Sequence, residues 1–279
     1  MSARRFKQVD VFTSVPFKGN PLAVVLNADG MSDDEMHAIT RWTNLSETTF
    51  VLAPTTPLAD YRVRIFSPGT EFPFAGHPTL GTAHALLEAG LQPSNPGRLV
   101  QECGVGLVPI KIGADGALAF RAPEATLVPL PEQRDALLRR ALGSDAFRNP
   151  VRVEMGVCWL VVRMHSAQAC LDATPDAQAL LELVNSGITG IAMVGPHPAG
   201  GPADYEVRCV FTKLGVLTED PVTGSANACI ARVLGEARDY SVRQGTLLQR
   251  DGRVSVAYAE GAPWIGGHSI TVIDGMMRT

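Results

Sequence analysis

The chain has 279 residues, 46 % apolar and 19 % charged, which is enough apolar material for a large core and too little charge for disorder. Its 24 basic and 28 acidic residues leave a net charge of -4 with no lysine or arginine block, so a nucleic-acid backbone finds no electrostatic handle. No run approaches the roughly 20 apolar residues of a membrane helix, and the start, Met1-Ser2-Ala3-Arg4-Arg5-Phe6-Lys7, has a basic flank without the apolar segment of an export signal. A cytoplasmic protein with neither membrane nor nucleic-acid partners is expected. The five cysteines, Cys103, Cys158, Cys170, Cys209 and Cys229, are odd in number and form no C-x-x-C pair, which fits a reducing compartment and core positions rather than zinc or disulfides.

Twenty-seven glycines and 20 prolines cut the chain into short, often β-branched pieces. Strands are predicted over residues 9–12, 22–26, 49–52, 61–66, 107–112 and 117–120, with few helices between them. The second half then echoes the first in order. Val9-Asp10-Val11 matches Val151-Arg152-Val153, and the run from Gly19-Asn20-Pro21 matches the run from Gly156-Val157-Cys158. The helix openings Ser32-Asp33-Asp34-Glu35 and Thr174-Pro175-Asp176 follow, then Tyr61-Arg62-Val63-Arg64 against Tyr205-Glu206-Val207-Arg208, and Gly76 against Gly224. Offsets near half the chain length predict two similar domains.

Both copies end in a small, apolar, helix-compatible stretch that opens on a glycine, one running from Gly76 and the other from Gly224. The first charges in these stretches are Glu88 and Arg232, so both helices are expected to be buried nearly all round. A helix N-terminus offers free N–H groups and a positive dipole end, and a glycine there admits a ligand to the backbone. Two such starts facing each other across a domain interface would hold a carboxylate or another anion. A pair of ordinary glycine-initiated helices is the alternative.

Three polar clusters stand against apolar flanks. Glu47 enters a β-branched strand, where partial burial would raise its pKa toward that of a general acid/base; a solvent-facing strand glutamate is the plain alternative. His77 follows the first helix-initiating glycine, where N–H dipoles would keep its ring neutral. Asp220, Thr223 and Ser225 surround the second glycine and could simply cap the helix. The duplication makes His77 and Ser225 equivalent. His84, inside the first helix, is expected to be a satisfied core histidine.

The strings Gly19-Asn20-Pro21, Leu45-Ser46-Glu47-Thr48, Glu71-Phe72-Pro73-Phe74-Ala75-Gly76-His77-Pro78-Thr79 and Glu219-Asp220-Pro221-Val222-Thr223-Gly224-Ser225-Ala226 resemble the signature segments of the phenazine-biosynthesis PhzF-like isomerase family. Val222 stands where the family usually has alanine. The resemblance implies an α+β, diaminopimelate-epimerase-like fold with two pseudo-symmetric, mostly antiparallel barrels, each wrapped around a central helix. The domains would span 1–125 plus about 265–279, carrying Glu47 and His77, and 126–264, carrying Asp220 and Ser225. It further implies a cofactor-independent isomerisation of a small carboxylic acid, expected to be cyclic, in an interdomain cleft. Glu47 would shuttle the proton, with Gly76, His77, Asp220, Gly224 and Ser225 around the substrate, no metal, and a homodimeric assembly. Related epimerases carry a thiol immediately before each helix-initiating glycine, where this chain has Ala75 and Thr223, so a two-thiol racemisation lacks both its acid/base groups. The alternatives are a racemase or epimerase using other groups and a non-catalytic carboxylate-binding protein. Glu47 speaks against the latter, since binding an anion gains nothing from a buried carboxylate.

Overall fold

The computed structural model describes residues 3–213, 215–235 and 238–279; Met1 and Ser2 of the basic flank lie outside them. The chain forms two compact units, residues 1–121 with 266–279, and residues 122–265.

In the first unit the chain runs through β1 (Ala3–Val11), β2 (Asn20–Val25), α1 (Asp33–Thr43), β3 (Thr48–Leu52), β4 (Tyr61–Phe66), β5 (Glu71–Phe72), α2 (Gly76–Glu88), β6 (Arg98–Cys103), β7 (Gly106–Ile112) and β8 (Leu118–Arg121). The second unit holds β9 (Thr126–Pro129), α3 (Asp135–Leu142), β10 (Phe147–Met155), β11 (Val157–Met164), α4 (Ala167–Asp172), α5 (Ala177–Val184), β12 (Gly190–Pro196), β13 (Tyr205–Lys213), β14 (Val216–Asp220), α6 (Gly224–Leu234), β15 (Tyr240–Gln244) and β16 (Gly252–Ala259). The chain returns to the first unit within β17 (Ala262–Gly267) and ends in β18 (Ser269–Arg278).

The strand pairings repeat. In the first unit β1 lies antiparallel between β18 and β2, β2 runs parallel to β3, β3 is antiparallel to β4, and β4 is antiparallel to β5 and parallel to β6, which pairs antiparallel with β7. In the second, β10 lies antiparallel between β9 and β11, β11 runs parallel to β12, β12 is antiparallel to β13, and β13 is antiparallel to β14 and parallel to β15, which pairs antiparallel with β16. The echo read from Val9, Gly19, Tyr61 and Gly76 thus marks corresponding elements, β1 with β10, β2 with β11, β4 with β13 and α2 with α6. Mostly antiparallel strands around one central helix make each unit α+β, as the sequence predicts.

The central helices are buried because they are small and apolar on every side. Nine of the 13 residues of α2 are buried, packed on β1, β2, β3, β8 and β18. Gly81 permits this approach, since a Cβ there would stand 2.6 Å from Leu22 Cδ2 and 2.7 Å from Val11 Cγ2. In the second unit α6 packs in the same manner on β10, β11, β12 and β16. The outer helices are capped as their sequences foretell. Ser32 and Glu35 form a capping box on α1, and Asp176, rather than Thr174, caps α5 through Ala179 N.

One expectation is corrected. Only Cys170, Cys209 and Cys229 are buried; Cys103 and Cys158 are half-exposed, and all five are free thiols. Both exceptions flank tight hairpin turns, where Cys103 pairs with Gly106 and Met155 with Val157, and strand ends there meet solvent. Lys7 lies inside β1 and is fully buried, its ammonium bonded to Glu88 at the end of α2 and 3.0 Å from Asp274 on β18.

Candidate active site

Glu47 is the residue immediately before β3, and three local features hold it there. Helix α1 ends at Asn44 in the left-handed conformation, φ 55°, with its N–H bonded to Thr40 O. The Thr43 and Thr48 hydroxyls meet at 3.0 Å across the connection. Thr82 of α2 then donates to Thr49 of β3 at 2.8 Å, tying the strand to the central helix. The first signature, Gly19-Asn20-Pro21, supports the same wall. A Cβ on Gly19 would stand 2.1 Å from Val11 O, and its N–H donates to Asp10 Oδ2 at 3.1 Å.

This framework brings Glu47 to His77, the second residue of α2. Glu47 Oε2 lies 3.4 Å from His77 Nε2, with side chains 16 % and 7 % exposed. Burial pushes the His77 imidazole down to about 3, so the ring is neutral at physiological pH. A neutral ring cannot compensate a carboxylate charge, so the pair is not an ion pair. His84, further along α2, faces Thr271 Oγ1 at 3.3 Å, and burial lowers its pKa too.

The second unit presents Asp220, Thr223, Gly224 and Ser225 around the start of α6. Thr223, the residue before α6, makes no side-chain cap bond to its helix. The Thr223 hydroxyl donates to Asp220 Oδ2 at 2.6 Å, and Ser225 Oγ accepts from the Trp159 indole on β11 at 3.1 Å. That bond fills one acceptor position of Ser225 and leaves its hydroxyl proton to donate. Cys209 on β13 stands opposite Asp220. Burial raises it well above the usual thiol range, so it is no thiolate base.

Sequence reasoning missed Trp159, Gln101 and Gln244 as parts of these clusters. Gln244 on β15 is buried, accepts from Thr223 N at 3.0 Å and donates to Thr223 Oγ1 at 2.9 Å. Gln101 on β6 is buried and donates to Thr79 Oγ1 at 3.0 Å. The signal was present in the duplication, since β6 and β15 correspond and each carries one glutamine. Among the described residues no group of three or more His, Cys, Asp and Glu side chains is placed to hold a metal ion, and no helix is long and apolar enough to cross a membrane.

Known proteins resemble this chain over nearly its whole length. The family model for phenazine biosynthesis-like proteins matches residues 9–275. Antisense-enhancing sequence 1 of Schizosaccharomyces pombe is 35 % identical, with 99 % of each chain covered. The trans-2,3-dihydro-3-hydroxyanthranilate isomerase of Pseudomonas aeruginosa is 34 % identical, covering 92 % of this chain and 91 % of the relative. Among solved structures, a PhzF-family phenazine biosynthesis protein of Bacillus anthracis superposes with a TM-score of 0.86 over 100 % of both chains at 25 % identity. With a matched model over nearly its whole length and relatives named as isomerases, the chain belongs to the phenazine biosynthesis-like, or PhzF, family and is an isomerase.

Proposed function

We propose that this protein is a cofactor-independent isomerase of a small, cyclic carboxylic acid, with Glu47 as the general acid/base that removes a proton from carbon and returns it elsewhere on the conjugated substrate. The observation that carries the reading is the half-buried Glu47 carboxylate beside a histidine that burial keeps neutral. A cation there would hold the carboxylate ionised, whereas a neutral ring leaves it able to accept a proton and give it back. His77 then positions the substrate by hydrogen bonding and does not titrate in the working range.

The remaining assignments belong to the same proposal. Gly76 and Gly224, at the two helix starts, would offer backbone N–H groups to the substrate carboxylate, with Asp220 and Ser225 completing its surroundings in the expected cleft. The trans-2,3-dihydro-3-hydroxyanthranilate isomerase relative supports a small cyclic acid as the substrate class. A cytoplasmic homodimer is the proposed state, which light scattering checks. Ala75 and Thr223 stand where a two-thiol racemase needs its thiols, so racemisation by that route is disfavoured.

The test is enzyme-dependent deuterium uptake in heavy water across a set of cyclic and acyclic carboxylic acids. Uptake into a cyclic acid that is lost in Glu47→Gln supports the reading. Uptake undiminished in Glu47→Gln overturns it.

A further inference from the structure

The two helix starts share a buried amide that the proposed chemistry does not use. In the first unit Tyr61 OH donates to Gln101 Oε1 at 3.1 Å, Gln101 Nε2 donates to Thr79 Oγ1 at 3.0 Å, and Thr79 Oγ1 donates to Ala75 O at 2.9 Å. The Ala75 carbonyl can only accept, so the Thr79 hydroxyl donates to it and accepts from the Gln101 NH2, which leaves the Gln101 oxygen to accept from Tyr61. The hydrogen-bond chain ends on a backbone carbonyl.

In the second unit the corresponding chain ends on a carboxylate. Thr223 N–H and Asn227 Nδ2 donate to Gln244 Oε1 at 3.0 and 3.1 Å. A backbone N–H can only donate, so the Gln244 oxygen must face it and the Gln244 NH2 must face the other way. That NH2 donates to Asp220 O at 3.2 Å and to Thr223 Oγ1 at 2.9 Å. The Thr223 hydroxyl, already accepting from an amide, directs its own proton to Asp220 Oδ2 at 2.6 Å, a separation typical of a hydroxyl on an ionised carboxylate.

We propose that Gln244 is a positioning residue that, through the Thr223 hydroxyl, holds Asp220 as an ionised hydrogen-bond acceptor at the start of α6. A carboxylate that accepts a directed hydrogen bond is stabilised in its charged form. The same amide grips the main chain on both sides of Pro221, through Asp220 O and Thr223 N, so the carboxylate is fixed in place as well as in charge. Cys209 and Glu219 are titratable neighbours of Asp220 on β13 and β14. Cys209, facing Asp220 from β13, is neutral, and Glu219 is occupied by the Arg208 guanidinium at 2.9 and 3.1 Å. The importance of this arrangement for turnover rests on the reading that Asp220 meets the substrate; the arrangement itself does not.

The experiment follows the Asp220 side-chain carboxyl by 13C NMR titration in the ligand-free protein. Thr223→Val and Gln244→Met should each raise the titration midpoint, by about one pH unit for loss of one directed hydrogen bond. Thr223→Ser, which keeps the hydroxyl, should restore the wild-type midpoint. The double variant should shift no further than Thr223→Val alone, since both changes break one chain. Gln101→Met, which loosens the equivalent turn in the first unit, should leave Asp220 unmoved. If Gln244→Met folds poorly, Gln244→Leu gives the same reading, and Thr223→Val against Thr223→Ser isolates the share of the hydroxyl. An Asp220 midpoint unchanged in Gln244→Met or in Thr223→Val overturns the proposal. No carboxylic acid taking up deuterium with the wild-type protein would sink the proposed function and leave these titrations standing.

Discussion

Glu47 Oε2 lies 3.4 Å from His77 Nε2, joining the residue before β3 to the second residue of the buried helix α2. Neither residue's local sequence demands the other. The Thr82–Thr49 hydrogen bond and the end of α1 at Asn44 bring them together, and burial of the histidine determines that the pair shares no ionic charge.

Glu47→Gln keeps the volume and the hydrogen-bonding outline while removing the titratable proton. Isotope exchange into bound substrate should fall by about 10²-fold or more, with little change in affinity. Proton exchange at the wild-type rate would transfer the base to another residue.

His77 should leave a signature in stability as well. The free imidazole titrates near 6.5 and the folded one near 3, so between these values the unfolded chain binds the extra proton. Acidification through that window therefore destabilises the native state, by about 1.4 kcal/mol per pH unit from this residue alone. Urea unfolding of His77→Asn between pH 7 and pH 5 should show a correspondingly shallower loss than the wild type. In activity assays His77→Ala should weaken binding and turnover together, because its proposed role is positional.

The buried Lys7 predicts an asymmetry. Its two carboxylate partners, Glu88 and Asp274, are 47 % and 44 % exposed at the side chain, so water can solvate them once the lysine is gone. Lys7→Met should be close to neutral, within about 1 kcal/mol, whereas Glu88→Gln combined with Asp274→Asn strands a buried ammonium and should cost about 3–5 kcal/mol. Denaturant midpoints at pH 7 check both values.

Gly81→Ala places a methyl group against Leu22 and Val11, at 2.6 and 2.7 Å before relaxation. The intrinsic helical gain of alanine over glycine, about 1 kcal/mol, should be outweighed by overpacking of about 1–3 kcal/mol. A rise in thermal midpoint for this variant would show that α2 can withdraw from β1 and β2.

Periodicity, turn residues and the internal echo are local properties of a chain, and they sufficed for much of this protein. The sequence by itself determined the α+β class, the duplicated order of elements, the two small-residue helices opening at Gly76 and Gly224, and the signature segments that identify the family. What it could not determine was which polar groups meet. Glu47 and His77 are separated by the whole of β3, β4 and β5, Trp159 reaches Ser225 from another strand, and Gln101 and Gln244 act on helices that precede them in the chain. Lys7 finds its partners at positions 88 and 274. Contacts of this kind depend on strand register and on a helix packed without charge inside its sheet, so only the tertiary structure decided them, and with them the neutrality of His77.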